Sequence, residues 1–300
     1  MDRRKFIQGS AGAIGAIGLA GCLGGGGGND TTTTEKQTTE AKTTSQDTTT
    51  EAPTTKSVLP DKVVIGSDIP YKPFEYETND GKLTGFDVGI AKAVYKGQLG
   101  IDYKFKDTSF DTIIQSLNAG NFRVIMSAMT ITDKRAEKVD FSDPYFTAYQ
   151  TIVVRKDSNI TSKQDLKGKN AGVQKGTTGA DAAKKLKSEL GGDLTLKEYD
   201  QIPSAFNALL HGQVDAVIND NTVNAAFVND HGDKVRFVEG DGAAAAQGKH
   251  APPYLTLTVE EYGIAFRKGD DAFRKKVNEA LATIKDNGEY KKVYGNYFQG

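Results

Sequence analysis

Four polar clusters lie where apolar runs of this sequence end, and together they can hold a small zwitterion. They are Asp68, residues 127–135, Gly176-Thr177-Thr178 and Asp220. Arg135 comes three residues after Thr132, a residue type suited to cap a helix. An arginine in a first helical turn is opposed by the helix dipole, by about 0.3–1 kcal/mol at a surface. Its planar fork can instead grip a carboxylate with two parallel hydrogen bonds. Gly176-Thr177-Thr178 falls between a strand pattern and a helix pattern, and free amides at a helix start bind anions. Asp220 ends an apolar strand after Asn219 and can accept hydrogen bonds from an ammonium group. Arg135 and the amides for a carboxylate, with Asp220 for an ammonium, describe a receptor for an α-amino acid. Tyr71 and Phe110 are candidate wall aromatics. Each feature also has a plainer reading: a solvated arginine, a capped helix without ligand, a turn-forming aspartate, core aromatics.

Periodicity supplies the elements that must carry these groups, and they alternate. Val63-Val64-Ile65-Gly66 predicts a buried strand, and a helix opens at Gly85-Phe86-Asp87 with Phe86, Ile90 and Val94 on one face. Residues 101–106 predict a strand, 111–118 a helix ending before Gly120, and 124–126 a strand. The pattern restarts with strands over 151–155 and 170–174, then a helix from Ala180. A helix over 203–211, a strand over 214–218, a strand over 262–266 and a long helix over 271–287 follow. Residues 240–251 read as a loop. Strand–helix alternation predicts an α/β protein with parallel sheets covered on both faces. Ligands bind such sheets beyond the carboxyl ends of the strands.

The 300 residues leave room for two domains, although only 37% are hydrophobic and 26% charged. The apolar shortfall is local: residues 29–57 hold 13 threonines and no apolar residue larger than alanine. The net charge of −1 argues against a nucleic-acid partner. The single cysteine, Cys22, excludes an intrachain disulfide and a multi-cysteine metal site. Arg3-Arg4-Lys5 ahead of a mild apolar run reads as an export signal of twin-arginine type over residues 1–21. Leu19-Ala20-Gly21-Cys22 resembles a lipobox, which makes Cys22 a lipidation site. Residues 22–59 then form a polar tether from the membrane surface. The plainer reading is an N-terminal helix with a buried cysteine, which the glycines at 9, 12, 15, 18 and 21 oppose.

Several motifs in order resemble the family 3 extracellular solute-binding proteins, the polar-amino-acid receptors of ATP-driven importers. Asp68-Ile69-Pro70-Tyr71-Lys72-Pro73-Phe74-Glu75 is similar to their opening, and Gly85-Phe86-Asp87 to their next motif. Met129 to Glu137, Asp140-Phe141-Ser142-Asp143-Pro144-Tyr145, Gly176-Thr177-Thr178, Asp215 with Asp220, and Tyr262-Gly263-Ile264-Ala265 complete the set. The resemblance spans roughly residues 62–298. It implies a two-lobed periplasmic-binding-protein-like (type II) fold, each lobe a mixed sheet flanked by helices, joined by two hinge strands. The crossings fall near residues 145–149 and 258–262, giving lobe 1 as 60–146 plus 261–300 and lobe 2 as 147–260. By the same resemblance, Arg135 and the Thr177 and Thr178 amides hold an α-carboxylate, and Thr130 with Ser127 or Ala128 adds contacts. Asp220 takes the α-ammonium, while Asp68, Tyr71, Phe110 and Gln174 shape the side-chain pocket. A polar or basic amino acid is favoured, with no cofactor and no metal. The implied partners are an ABC permease with its ATPase subunits, reached by a lipid-anchored monomer on the extracytoplasmic face of the cell membrane. Arg123, where the family often has aspartate, and the long segment 240–254 depart from the pattern.

Two other function classes compete. Some relatives of this fold are exported dehydratases acting on aromatic amino-acid precursors, and such chemistry needs a placed acid or base. His211, His231 and His250 fall at a helix end or in loops, and no nucleophile elbow, His-Glu-x-x-His or lysine P-loop is present. A sensing domain of a signalling receptor would need a membrane span and an output domain.

Overall fold

The computed structural model describes residues 59–248 and 253–298. The leader, the Cys22 lipidation site and nearly all of the tether lie outside them, as does His250. Two five-stranded sheets organise the described chain into two lobes. The first sheet runs in the order Asp102–Asp107, Lys62–Ser67, Val124–Ile125, Ala265–Arg267, Val139–Phe141. The second runs Leu194–Tyr199, Lys169–Gln174, Ala216–Asp220, Gln150–Arg155, Val235–Phe237.

Strand–helix alternation predicted parallel sheets, but both sheets are mixed. Lys62–Ser67 is parallel to both its neighbours, but Ala265–Arg267 is antiparallel to both of its own. In the second sheet Gln150–Arg155 is the antiparallel member. These two strands enter directly from short crossing segments, with no helix to bring the chain back, so they run against the rest. The crossing segments are Phe146–Ala148 and Glu260–Tyr262, paired antiparallel with each other. Residues 262–266 were predicted as one strand. The chain breaks it after Tyr262, where Gly263 packs so closely on Ile131 that a Cβ would lie 2.9 Å from that side chain.

Burial follows the apolar pattern. All five residues of Ala216–Asp220 are buried, as expected of a strand covered on both faces. The helix Asp271–Asp286 turns Phe273, Val277, Leu281 and Ile284 inward, each worth about 1.5–3 kcal/mol of transfer free energy. Phe86, Ile90 and Val94 share a buried face, on a helix that widens to π-turns over Lys92–Gln98. Phe74, Phe146, Tyr262 and Phe298 pack ring on ring around the crossing strands, with centroids 5.0–5.6 Å apart in successive pairs.

Other elements were not anticipated. The segment read as a loop carries a short helix, Ala243–Ala246, with Ala244 buried, held by the Ala243 amide donating to the Thr256 carbonyl at 2.9 Å. The helices Asn221–Asp230 and Glu289–Tyr297 and the strands Val139–Phe141, Leu194–Tyr199 and Val235–Phe237 also emerge. Arg123 has a structural partner: its guanidinium makes two 2.9 Å hydrogen bonds to Asp270 and lies 4.0 Å over the Phe273 ring.

Candidate ligand-binding site

Arg135 is not a solvated arginine. Thr132 caps the four-residue helix Asp133–Ala136, its hydroxyl accepting from the Arg135 amide at 3.2 Å. The side chain is buried and turns back toward the second lobe. Nη1 donates to the Thr130 carbonyl at 2.7 Å, and Nη2 crosses to the Gly176 carbonyl at 3.1 Å. The guanidinium carbon stands 5.2 Å from the centre of the Phe110 ring, so that ring is a wall rather than core. Burial pulls the guanidinium pKa down, while Glu260 and Asp220 oppose that shift. Five N–H donors with two spent on carbonyls leave capacity for an anion.

The opposite face begins where Lys169–Gln174 turns into the helix Thr178–Glu189. Thr177 caps that helix, donating to the Gln174 carbonyl at 2.7 Å and accepting from the Ala180 amide at 3.1 Å. The amides of Thr178 and Gly179 lie in the first turn, where no intrahelical acceptor exists. Gly176 is required on two counts: its φ is +73°, and a Cβ there would meet Asp111 Cα at 2.8 Å.

Asp220 ends a strand whose five residues are all buried. The Tyr71 hydroxyl reaches across from the first lobe to its Oδ2 at 2.5 Å, and Gln150 Nε2 donates to Oδ1. Burial, reinforced by the charge of Glu260, pushes the Asp220 carboxyl up to about 7. Asp68 accepts from Gln174 Nε2, again between lobes, and burial lifts its carboxyl to about 6. Its Oδ1 has no hydrogen-bond partner among the described residues. The Asp68 amide donates to Ser127 Oγ at 2.9 Å, and that hydroxyl donates to the buried Glu75 at 2.8 Å. Ala128 follows with φ +46°, a left-handed conformation that disfavours alanine by roughly 1–2 kcal/mol. Asp87 secures it by accepting the Ala128 amide at 2.8 Å.

These groups converge. A narrow cavity lies between the lobes, lined by Asp68, Tyr71, Phe110, Ser127, Ala128, Thr130, Arg135, Gln174, Thr177, Thr178 and Asp220. Every side chain singled out from the sequence as a ligand contact borders this one space. Gln150 and Asn219 complete the lining, and the sequence reading missed both as contacts. Asn219 carried a signal, as a polar residue at the carboxyl end of an apolar strand beside Asp220. Gln150 carried none, because it opens its strand rather than ending it. The charges present one cationic point, Arg135, against two carboxylates, Asp68 and Asp220. His211 and His231 stand at helix ends outside the lining. Among the described residues no group of three or more His, Cys, Asp or Glu is arranged to hold a metal ion, and no helix is long and apolar enough to cross a membrane.

Comparison with known proteins points the same way. Residues 63–300 match the bacterial extracellular solute-binding proteins, family 3. A probable histidine-binding protein of Neisseria gonorrhoeae is 36% identical over 243 residues, 80% of this chain and 84% of that protein. The arginine-binding extracellular protein ArtP of Bacillus subtilis (strain 168) is 35% identical over 239 residues, 80% and 87% of the two chains. Among solved structures, an ancestral arginine-binding protein bound to arginine superposes with a TM-score of 0.70 at 38% identity, covering 80% of this chain and 99% of that one. With two mixed α/β lobes, a polar cavity between them and this match over most of its length, the chain belongs to the family 3 bacterial extracellular solute-binding proteins.

Proposed function

We propose that the chain is a receptor that binds an amino acid between its lobes and delivers it to an ABC import permease. One observation carries this reading: Arg135 from the first lobe and Asp220 from the second border the same cavity. A guanidinium with the amides of the Thr178–Glu189 helix start answers a carboxylate, and a carboxylate answers an ammonium. Asp68, with Oδ1 available, faces the side-chain end and favours a polar or basic side chain such as that of arginine, histidine or lysine. The names of the relatives, histidine- and arginine-binding proteins, agree with that charge. Binding, not catalysis, is the proposed role, in line with relatives that carry the names of binding proteins.

The lobes comprise residues 60–146 with 261–300, and residues 147–260. They hinge at the paired strands Phe146–Ala148 and Glu260–Tyr262, and a ligand gripped from both sides favours the closed arrangement. Upstream, Cys22 would carry the lipid that holds a monomeric receptor at the extracytoplasmic surface. A thermal-shift screen over the common L-amino acids tests the reading. A true ligand at one hundred times its dissociation constant adds about 2.7 kcal/mol of stability. Arg135→Ala leaves a buried carboxylate unpaired, which costs about 3–5 kcal/mol. Affinity then falls by roughly a hundredfold to several thousandfold. An unchanged melting shift in that variant would overturn the site.

A further inference from the structure

Glu260 lies on the second crossing strand opposite Ala148 and is buried despite its carboxylate. Its Oε2 accepts the hydroxyl of Thr130 from the first lobe and the hydroxyl of Thr178 from the second, each at 2.7 Å. Its Oε1 accepts from Thr258 at 2.7 Å. The oxygens of Thr130 and Thr178 are themselves 3.2 Å apart. Each hydroxyl owns one hydrogen and two lone pairs. The contact to the carboxylate is the shorter and is charge-assisted, so it claims the hydrogen. Gln150 Nε2 donates at 3.3 Å toward both Thr178 Oγ1 and Glu260 Oε2, and each threonine oxygen still keeps a lone pair with which it meets the cavity as an acceptor.

We infer that Glu260 sets the hydrogen-bonding sense of the binding site. By taking the hydroxyl hydrogens of Thr130 and Thr178, it makes that wall an acceptor surface for the ligand's α-ammonium. This rests on the amino-acid reading above and deepens it: the Thr130 and Thr178 side chains do not donate to the α-carboxylate. That group is left to Arg135 and to the amides at the helix start. An ammonium has three hydrogens, and Asp220, Thr130 and Thr178 provide three acceptors. Glu260 acts through the threonines and is a positioning residue. Its charge also favours the charged form of Arg135 and opposes ionisation of Asp220 until an ammonium arrives.

Titration calorimetry on the ligand-stripped chain tests this with two probes, L-arginine and 5-guanidinopentanoate, which lacks only the α-amino group. In Glu260→Met both hydroxyl hydrogens are released toward the cavity. Arginine should then weaken while the deaminated probe holds or tightens, narrowing their ratio by roughly tenfold or more, as expected when a charged group loses its acceptors. Glu260→Gln keeps an acceptor and should retain most of the ratio. Equal weakening of both probes in Glu260→Met would overturn the inference, leaving Glu260 a hinge-strand packing residue. A second readout needs no ligand. The melting-temperature loss of Glu260→Met combined with Thr178→Val should be smaller than the sum of the single losses. Strict additivity would overturn the hydroxyl assignment. Absence of arginine binding by the unaltered protein would instead overturn the basic-ligand reading, and the melting comparison would still decide where the hydroxyl hydrogens go.

Discussion

Asp220 shows how burial sets chemistry at a single residue. Its carboxyl is raised to about 7, that of Asp87 to about 7 and that of Asp68 to about 6, in each case chiefly by removal from water. A carboxyl raised in the folded chain above its unfolded value adds stability that is fully present at low pH. That stability is lost as pH rises through the folded value, because the unfolded chain then holds fewer protons. The ligand-free chain is therefore expected to melt higher at pH 5 than at pH 8, with the fall concentrated between pH 5 and about 7. Asp220→Asn should flatten that profile in a thermal scan at stepped pH. Ligand affinity should run the other way, since an ammonium needs the ionised carboxylate. Below about pH 7, each unit should weaken binding by up to roughly tenfold. Calorimetric affinities that do not change between pH 8 and pH 5 would rule out Asp220 as the ammonium partner.

At the scale of the element, the turn at Gly176 is the most constrained part of the site. Gly176→Ala would force a side chain into a left-handed backbone, costing roughly 1–2 kcal/mol, and drive its Cβ toward the backbone of Asp111. A lowered melting midpoint with weakened ligand binding is expected, because the same turn aims the helix-start amides. A fully stable, fully binding variant would contradict this. Turns and caps of this kind were legible in the sequence because glycine and threonine mark them locally. The helices Thr178–Glu189 and Asp271–Asp286 were legible from caps and apolar spacing. Val139–Phe141 and Val235–Phe237 were not, since three residues are too few to show a period. Asn221–Asp230 escaped because it begins directly after a strand, with no breaker between them. Of the cavity, the groups in recurring motifs were legible. Glu260 was not, because its sequence context is shared by its exposed neighbour Glu261 and only the fold distinguishes them.

At the scale of the whole molecule, polar groups tie the lobes together beside the cavity, and an ion pair does so at the surface. Lys72 Nζ and Asp230 Oδ2 are 2.8 Å apart across the lobes, with about half of each side chain exposed. Exposed pairs are worth about 0–1 kcal/mol. Lys72→Ala should thus change ligand affinity by less than roughly fivefold, far less than Arg135→Ala. A loss as large as that of Arg135→Ala would place the closing energy at the surface instead of in the cavity.

The order of strands in the two sheets has a bearing on how the chain comes off the ribosome. Every strand of the second sheet lies between residues 150 and 237, so that sheet can assemble while synthesis continues. The first sheet cannot: Ala265–Arg267 sits between Val124–Ile125 and Val139–Phe141. Until residue 267 has emerged, the nascent chain has an open slot in its first sheet, and Val139–Phe141 has no neighbour to pair with. The half of the protein translated first is therefore the half completed last.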